Sequence, residues 1–329
     1  YNESNNYDSN YLPSLLQRIE HVFDIGDNIL NRFSVWSAIG LLPLSLQFST
    51  VVTNQLLAGA YDLDQHFFQS PLRDNIPVLL GLLGMWNSTF LGYGVRAVLP
   101  YGLSNSFAEW VGQMDTESNG KHVAMDGEPI LHYSSAEITI GANPAIYQVL
   151  HQGRVVPIDF VGFMESQLNQ QNDSIQHDQL MSHFFAQPDA LAYGKTMTEL
   201  IQEGVPEELR PHKYLTGNRP SSSLLLSKLD AFGLGQLMAI YEHRTTVQGF
   251  LWGISSFDHT HGSEVANDLS GQIHKQLHYT RTTGASVQGF NPSTSTLLEE
   301  YLKHESTTTT TISSPPPKPN HRGGPVPYS

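Results

Sequence analysis

The stretch Phe232–Leu269, FGLGQLMAIYEHRTTVQGFLWGISSFDHTHGSEVANDL, constrains this chain more than any other. It opens as a long apolar run with few breakers, which reads as a buried helix. Tyr241-Glu242-His243-Arg244 in its middle is too polar for a membrane span. The run then passes through Ser255-Ser256-Phe257-Asp258 into a polar turn with His259, His261 and Gly262. Val265, Leu269 and Ile273 follow about one turn apart and predict a second helix. A buried helix that delivers the chain to a polar corner needs layers of structure on both sides of it. Such a corner is a common place for a site.

The upstream sequence supplies those layers. Val95–Tyr101, Glu137–Ile140, Val155–Phe163 and Ser223–Lys228 read as strands. Helical spacing covers Leu12–Ile29, the segment after Asn31–Gly40, Pro77–Trp86, Phe107–Met114, the run after Pro144, Gln176–Gly194 and Met197–Glu203. Asn143 is placed to cap the helix whose first turn holds Pro144. Asp115–Gly127 reads as a polar loop. Alternation of this kind predicts an α/β fold with a mainly parallel sheet flanked by helices, its sites beyond the carboxyl ends of the strands. Residues 1–14 are polar, and from Glu305 the chain runs into five threonines and a proline-rich segment. That composition predicts a disordered or extended tail.

Composition narrows the function. A formal net charge of −14 argues against nucleic acid as a partner. There is no cysteine, so thiolate zinc sites, cysteine nucleophiles and disulfides are excluded. The run Leu79–Trp86 is far short of the about 20 apolar residues that a membrane span takes, and no signal peptide is visible.

Several residues could carry chemistry. Arg32, beside Phe33 and Trp36, is either part of a packed ion pair or a clamp for phosphate and transition-state charge. The loops 115–121, 151–153 and 217–220 mix glycine with groups that bind anions or sugar hydroxyls, and the same residues make ordinary turns. His259, His261 and Glu264 have metal-ligand spacing but lack a fourth ligand, so no metal is expected. No nucleophile elbow, phosphate-binding P-loop, dinucleotide fingerprint or paired zinc-histidine motif is present.

Read together, the pieces NRFSVWSAIGL (31–41), DQHF (64–67), PVLLGLLGMW (77–86), MDTESNGK (114–121), YQVLHQGRVVPIDF (147–160), FFAQPDALAYGK (184–195), PHKYLTGNRP (211–220) and YEHRTTVQGFLWGISSFD (241–258) resemble the glucose-6-phosphate isomerase (phosphoglucose isomerase) family. They are collinear from about residue 31 to 303. The resemblance implies an SIS-type three-layer α/β sandwich, dimers, a cytoplasmic location and metal-free, cofactor-free interconversion of glucose 6-phosphate and fructose 6-phosphate. It also implies a division into a leading segment (1–30), an SIS region like the family's C-terminal one (31–304) and a tail (305–329), without the family's N-terminal SIS domain.

Carried over residue by residue, the family's arginine is Arg32. Its proton-shuttling carboxylate lies in a GEPGTNGQH loop, where this chain has the shorter EITIGANPAIY, so Glu137 is the nearest counterpart. Asn143 falls in the same loop as a candidate substrate-binding residue. In place of the ring-opening histidine the chain has Gln167 or Leu168, whereas His177 matches a different family histidine. Where the family reads FDQxGVELGK, this chain has FDHTHGSEVAND, with His259 for the glutamine at the substrate and Asn267 for the lysine. An asparagine can hydrogen-bond a hydroxyl but supplies neither charge nor proton near neutral pH. The resemblance therefore implies a sugar-phosphate isomerase that, by itself, is inactive or strongly impaired. The alternative is a non-catalytic relative with a structural or protein-binding role, acting as a homo-oligomer or with a partner chain.

Overall fold

The structure is a computed structural model, and it describes residues 21–23, 25, 29, 31–130, 138–141, 145–166, 173–258 and 264–312. The chain divides into two compact units, 1–259 and 260–329.

The first unit is built on four parallel strands, β1 (Val95–Pro100), β2 (Ile138–Ile140), β3 (Ile158–Phe163) and β4 (Ser221–Leu226), in the order β2-β1-β3-β4. In register, Ala97 lies opposite Ile158 and Ile158 opposite Ser221. Parallel neighbours require crossovers, and helices supply them. Before the sheet come a 3-10 turn (Asn31–Trp36), α1 (Ala38–Phe48), α2 (Thr50–Gln69) and α3 (Ile76–Met85). Within and after it come α4 (Ser106–Asn119), α5 (Ile146–Gln152), α6 (Asp173–Tyr193), α7 (Met197–Gln202), α8 (Arg210–Lys213) and α9 (Ala231–Trp252).

Strand alternation sorts the core into two layers. Val98, Val161, Phe163 and Leu224 face α2, α3, α4 and α9, where Leu63, Leu80, Met114 and Leu237 meet them. Ala97, Leu99, Ile158 and Phe160 face the other way, onto Leu150 of α5 and Phe184 and Leu191 of α6. The result is the three-layer, mainly parallel α/β sandwich expected.

The long apolar run is α9, and its limits follow from local chemistry. The Asp230 carboxylate accepts the Gly233 N–H at 2.9 Å as an N-cap, and Gly253 ends the helix in the left-handed region at φ 69°. α9 crosses α2 at backbone contact. A Cβ on Gly59 would lie 1.9 Å from the Phe232 carbonyl oxygen, and one on Gly235 would lie 2.0 Å from that of Leu56.

α4 is longer than its sequence pattern suggests. It continues through Asp115–Asn119, which reads as loop by composition, because the Asp115 carboxylate is claimed by tertiary partners. Asp115 accepts from Arg96 of β1 and, at 3.0 Å, from Arg244 of α9, while the Thr245 hydroxyl donates to it at 2.7 Å. Arg96 also donates to Asp159 of β3, and the Tyr241 hydroxyl donates to the same carboxylate at 3.2 Å. Burial alone would raise the Asp115 carboxyl, but Arg244 and Arg96, with hydrogen bonds from Thr245 and Arg244, outweigh it and hold it below the usual range.

In the second unit, α10 (Glu264–Thr283) is the helix expected around Val265, Leu269 and Ile273, and α11 (Pro292–Ile312) extends through the threonine run. The segment 313–329 lies outside the described residues, as does most of the expected leading helix; residues 21–23 carry no regular structure. No helix of the described residues is long and apolar enough to cross a membrane.

Two sets of substitutions test this frame. Gly235→Ala should cost at or above the upper end of the roughly 1–3 kcal/mol typical of overpacking, because the obstacle is backbone. Gly271→Ala on α10, with nothing within 4 Å of the new Cβ, should instead stabilise that helix by about 0.5–1 kcal/mol, as read by circular dichroism during urea unfolding. Asp115→Asn should cost about 3–5 kcal/mol, since buried Arg244 loses the carboxylate it pairs with and Arg96 is left with Asp159 as its carboxylate partner. Because its native carboxyl is held low, Asp115 contributes stability above the ordinary carboxylate range, lost as the pH falls through it. Acid titration of the unfolding free energy should show this loss, and Asp115→Asn should flatten it.

Candidate active site

Arg32 sits on the 3-10 turn Asn31–Trp36 and is 5% exposed. Its Nε donates to Ser118 Oγ at 2.8 Å, and Nη2 donates at 2.8 Å to both the Ser256 and Asp258 carbonyl oxygens. Nη1 lies 3.9 Å from Glu117 Oε2. The Phe33 ring packs on Phe257, with centroids 5.4 Å apart. Burial lowers the Arg32 guanidinium pKa, and the Glu117 and Asp258 carboxylates offset part of that effect.

The residues that hold Arg32 come from two helix ends. Glu117 and Ser118 lie in the last turn of α4, and Ser256 and Asp258 follow the α9 cap at Gly253. Lys121, one residue past the α4 cap, places its ammonium 2.6 Å from Asp258 Oδ1 and donates to the Glu117 carbonyl oxygen at 3.2 Å. Asn119 ties the two ends together, donating to the Thr245 carbonyl oxygen at 2.9 Å and accepting from the Ser256 hydroxyl at 2.6 Å. A close fit is enforced there, since a Cβ on Gly249 would lie 1.8 Å from Ser256 Oγ. The corner thus gathers one ammonium, Lys121, and two carboxylates, Glu117 and Asp258, around a fixed guanidinium.

Its position differs from the expectation. α4 and α9 run back along the sheet from the carboxyl ends of β1 and β4. Arg96 and Asp159, each the second residue of its strand, reach Asp115 past the middle of α4 and Tyr241 at the middle of α9, so the later turns of both helices run beyond that end of the sheet. The corner therefore lies beyond the amino ends of the strands, opposite the usual location in doubly wound sheets.

Of the residues selected from the sequence, Arg32 is placed as a buried, fully oriented cation. Glu137, Asn143 and His259 lie outside the described residues, as do Gln167, Leu168 and His261. Asn267 is an exposed residue of α10 in the second unit. His177 Nε2 is 3.0 Å from the Met164 carbonyl oxygen. Arg219 of the 217–220 loop is a structural clamp, donating to the Gly153 and His151 carbonyl oxygens at 2.9 and 3.2 Å. Among the described residues no group of three His, Cys, Asp or Glu is placed to hold a metal.

Glu117 was not singled out by sequence reasoning. The available signal was the i, i+4 spacing of Gln113 and Glu117, which the structure joins by a 2.9 Å hydrogen bond on a helix that continues past Met114.

Comparison with known proteins agrees with the pattern of motifs. The family model for phosphoglucose isomerase matches residues 18–298. Cytosolic glucose-6-phosphate isomerase of Oenothera sinuata var. hirsuta is 52% identical over 295 residues, covering 87% of this chain and 52% of the relative. The cytosolic enzyme of Arabidopsis thaliana is 50% identical over the same shares of both. The crystal structure of a glucose-6-phosphate isomerase from Chlamydia trachomatis D/UW-3/Cx superposes with a TM-score of 0.70 at 29% identity, covering 91% of this chain and 53% of that one. The chain spans about half the length of the curated relatives it matches. With the family's motifs collinear in sequence and its fold reproduced in structure, this chain belongs to the phosphoglucose isomerase family.

Proposed function

We propose that the Arg32 corner serves the aldose–ketose isomerisation of glucose 6-phosphate and fructose 6-phosphate, and that the chain alone carries it out slowly or not at all. The observation that carries this reading is the buried guanidinium of Arg32, fixed by three hydrogen bonds and turned toward Glu117 at 3.9 Å. Aldose–ketose isomerisation moves a proton from C2 of the open-chain sugar to C1. A carboxylate takes that proton, the electron pair of the C2–H bond forms the C1–C2 double bond of an enediolate as charge moves onto O1, and the proton returns to C1 while the O2 hydroxyl proton passes to O1. A preorganised cation beside the base stabilises the charge that builds on oxygen. By resemblance the base is Glu137; Glu117 is the carboxylate that the described residues bring into ion-pair range of Arg32.

The impairment follows from the sequence. Asn267 supplies no charge where the family has lysine, and Gln167 or Leu168 supplies no ring-opening base. Each lost acid-base step costs roughly 10²–10⁴-fold in rate. Arg32 supports the non-catalytic reading as well, because its Nε and Nη2 are spent on protein acceptors and hold two helix ends together. In that reading the scaffold is kept for binding. The relatives' names place them in the cytosol, and we extend that location to this chain. A second copy or a partner chain is supported by the exposed apolar Leu82, Leu83, Trp86 and Phe90 along and just after α3.

A coupled assay of fructose 6-phosphate conversion on the purified chain separates the readings. Turnover in the ordinary range of about 1–10³ s⁻¹ would overturn the impairment. Any residual turnover should fall by about 10²-fold or more in Arg32→Lys, which keeps the charge but loses the planar fork. Asn267→Lys should not restore an inert chain, and recovery by that one change would show that the remaining machinery is intact.

A further inference from the structure

Glu242 lies in the middle of α9, and one of its carboxylate oxygens accepts the Trp36 indole N–H at 2.7 Å. The other, Oε1, is buried and has no hydrogen-bond partner among the described residues. Among the described residues no cation is placed to compensate it. On α9 itself, Arg244 is turned to Asp115 of α4, and His243 Nε2 sits 2.6 Å from Asp64 of α2 while its ring stacks on Phe67. The other α2 carboxylate nearby, Asp62, accepts from Gln236. α3 carries no titratable side chain, and Arg32 is spent on Ser118 and on the carbonyls of Ser256 and Asp258. The nearest charge, Asp64, has the same sign as an ionised Glu242.

We propose that Glu242 is a positioning residue for the Arg32 corner, acting through Trp36 in a way that depends on the proton on its own carboxyl. The geometry provides the linkage. The turn Asn31–Trp36 is six residues long, with Arg32 near one end and Trp36 at the other. Arg32 pins its end to α4 and to the segment after α9, and the Trp36–Glu242 bond pins the other end to the middle of α9. A neutral Glu242 keeps its carbonyl oxygen as acceptor for the indole and leaves no charge in the buried site. An ionised Glu242 accepts the indole more strongly but places an unpaired charge there; burial outweighs that gain, and the relief available is to open toward water, which releases Trp36 and that end of the turn.

The titration range agrees. Burial pushes the Glu242 carboxyl up to about 8, with Asp64 adding to the rise and the Trp36 hydrogen bond opposing it. The native state thus holds this proton more tightly than the unfolded chain. The stability it supports is complete below the ordinary glutamate range and declines as the pH rises through about 8. Neutral solution keeps the turn seated, and mildly alkaline solution loosens it.

The inference rests on reading Arg32 as the functional cation, yet its test needs no turnover. In the ¹⁵N-labelled full chain, the Trp36 indole N–H and the Arg32 Nε–H resonances are followed from pH 6 to 10, assigned by their loss in Trp36→Phe and Arg32→Lys. Both are expected to titrate together with a midpoint of about 8, as the thermal midpoint of unfolding falls over the same range. Glu242→Gln keeps an acceptor for the indole and cannot ionise, so both signals should become independent of pH. Trp36→Phe should uncouple the Arg32 signal, and it keeps the test decisive if Glu242→Gln does not fold. An Arg32 resonance that stays flat in the unsubstituted chain, or that still titrates in either variant, would overturn the proposal. Titration supports this inference whether or not the chain turns over, and turnover without titration would overturn it while leaving the isomerase reading intact.

Discussion

The sandwich is held in register by a network of charges that would be intolerable if any member were missing. Arg96, Asp115, Asp159 and Arg244 are all buried, and they join β1, β3, α4 and α9 through direct hydrogen bonds. Removing such ions from water costs several kcal/mol each, and the cost is recovered only where geometry is close and lone pairs are filled. Thr245 and Tyr241 fill two of them, and both come from the same helix as Arg244. A hydrophobic core alone would allow α4 and α9 to slide on the sheet. Directional pairing between fixed residues does not.

That rigidity has a direct bearing on the Arg32 corner. The last turn of α4 lies immediately after Asp115, and Asp258 lies beyond the end of the helix that carries Arg244. The network therefore positions the two helix ends on which Arg32 closes. Arg32 adds few degrees of freedom of its own, because three acceptors on those ends already orient it. A cation held this way is well preorganised to meet charge that develops on a substrate. It is equally well suited to stapling two helices, and this is why scaffold and chemistry are hard to separate in this family member.

Much of the architecture is legible without coordinates. β1 is bounded by Gly94 and by the Pro100-Tyr101-Gly102 turn, and the apolar run from Phe232 could only be a buried helix. Arg32 stands out as a lone cation among aromatic and small residues. What escapes sequence reasoning is set by distant partners. Asp115–Asn119 has the composition of a turn, and it is helical because Arg96 and Arg244, 19 and 129 residues away, claim Asp115. Glu117 is hidden by the same misreading. The Trp36–Glu242 contact spans 206 residues, and no local pattern encodes it. The placement of the corner at the amino ends of the strands depends on which ends of α4 and α9 converge, a property of the assembled sheet.

The charge network also dictates an order of events as the chain is made. Arg96, Asp115 and Asp159 emerge from the ribosome well before Arg244, which lies 148 residues after Arg96. Until α9 arrives, Asp115 lacks one of its two guanidiniums, and the apolar face of the sheet lacks its central helix. From Asp159, the last of the three earlier members, Arg244 is a further 85 residues along the chain. The helix that covers this face of the sheet is therefore a late arrival in synthesis, and a chain that has not yet reached Arg244 leaves that face without it.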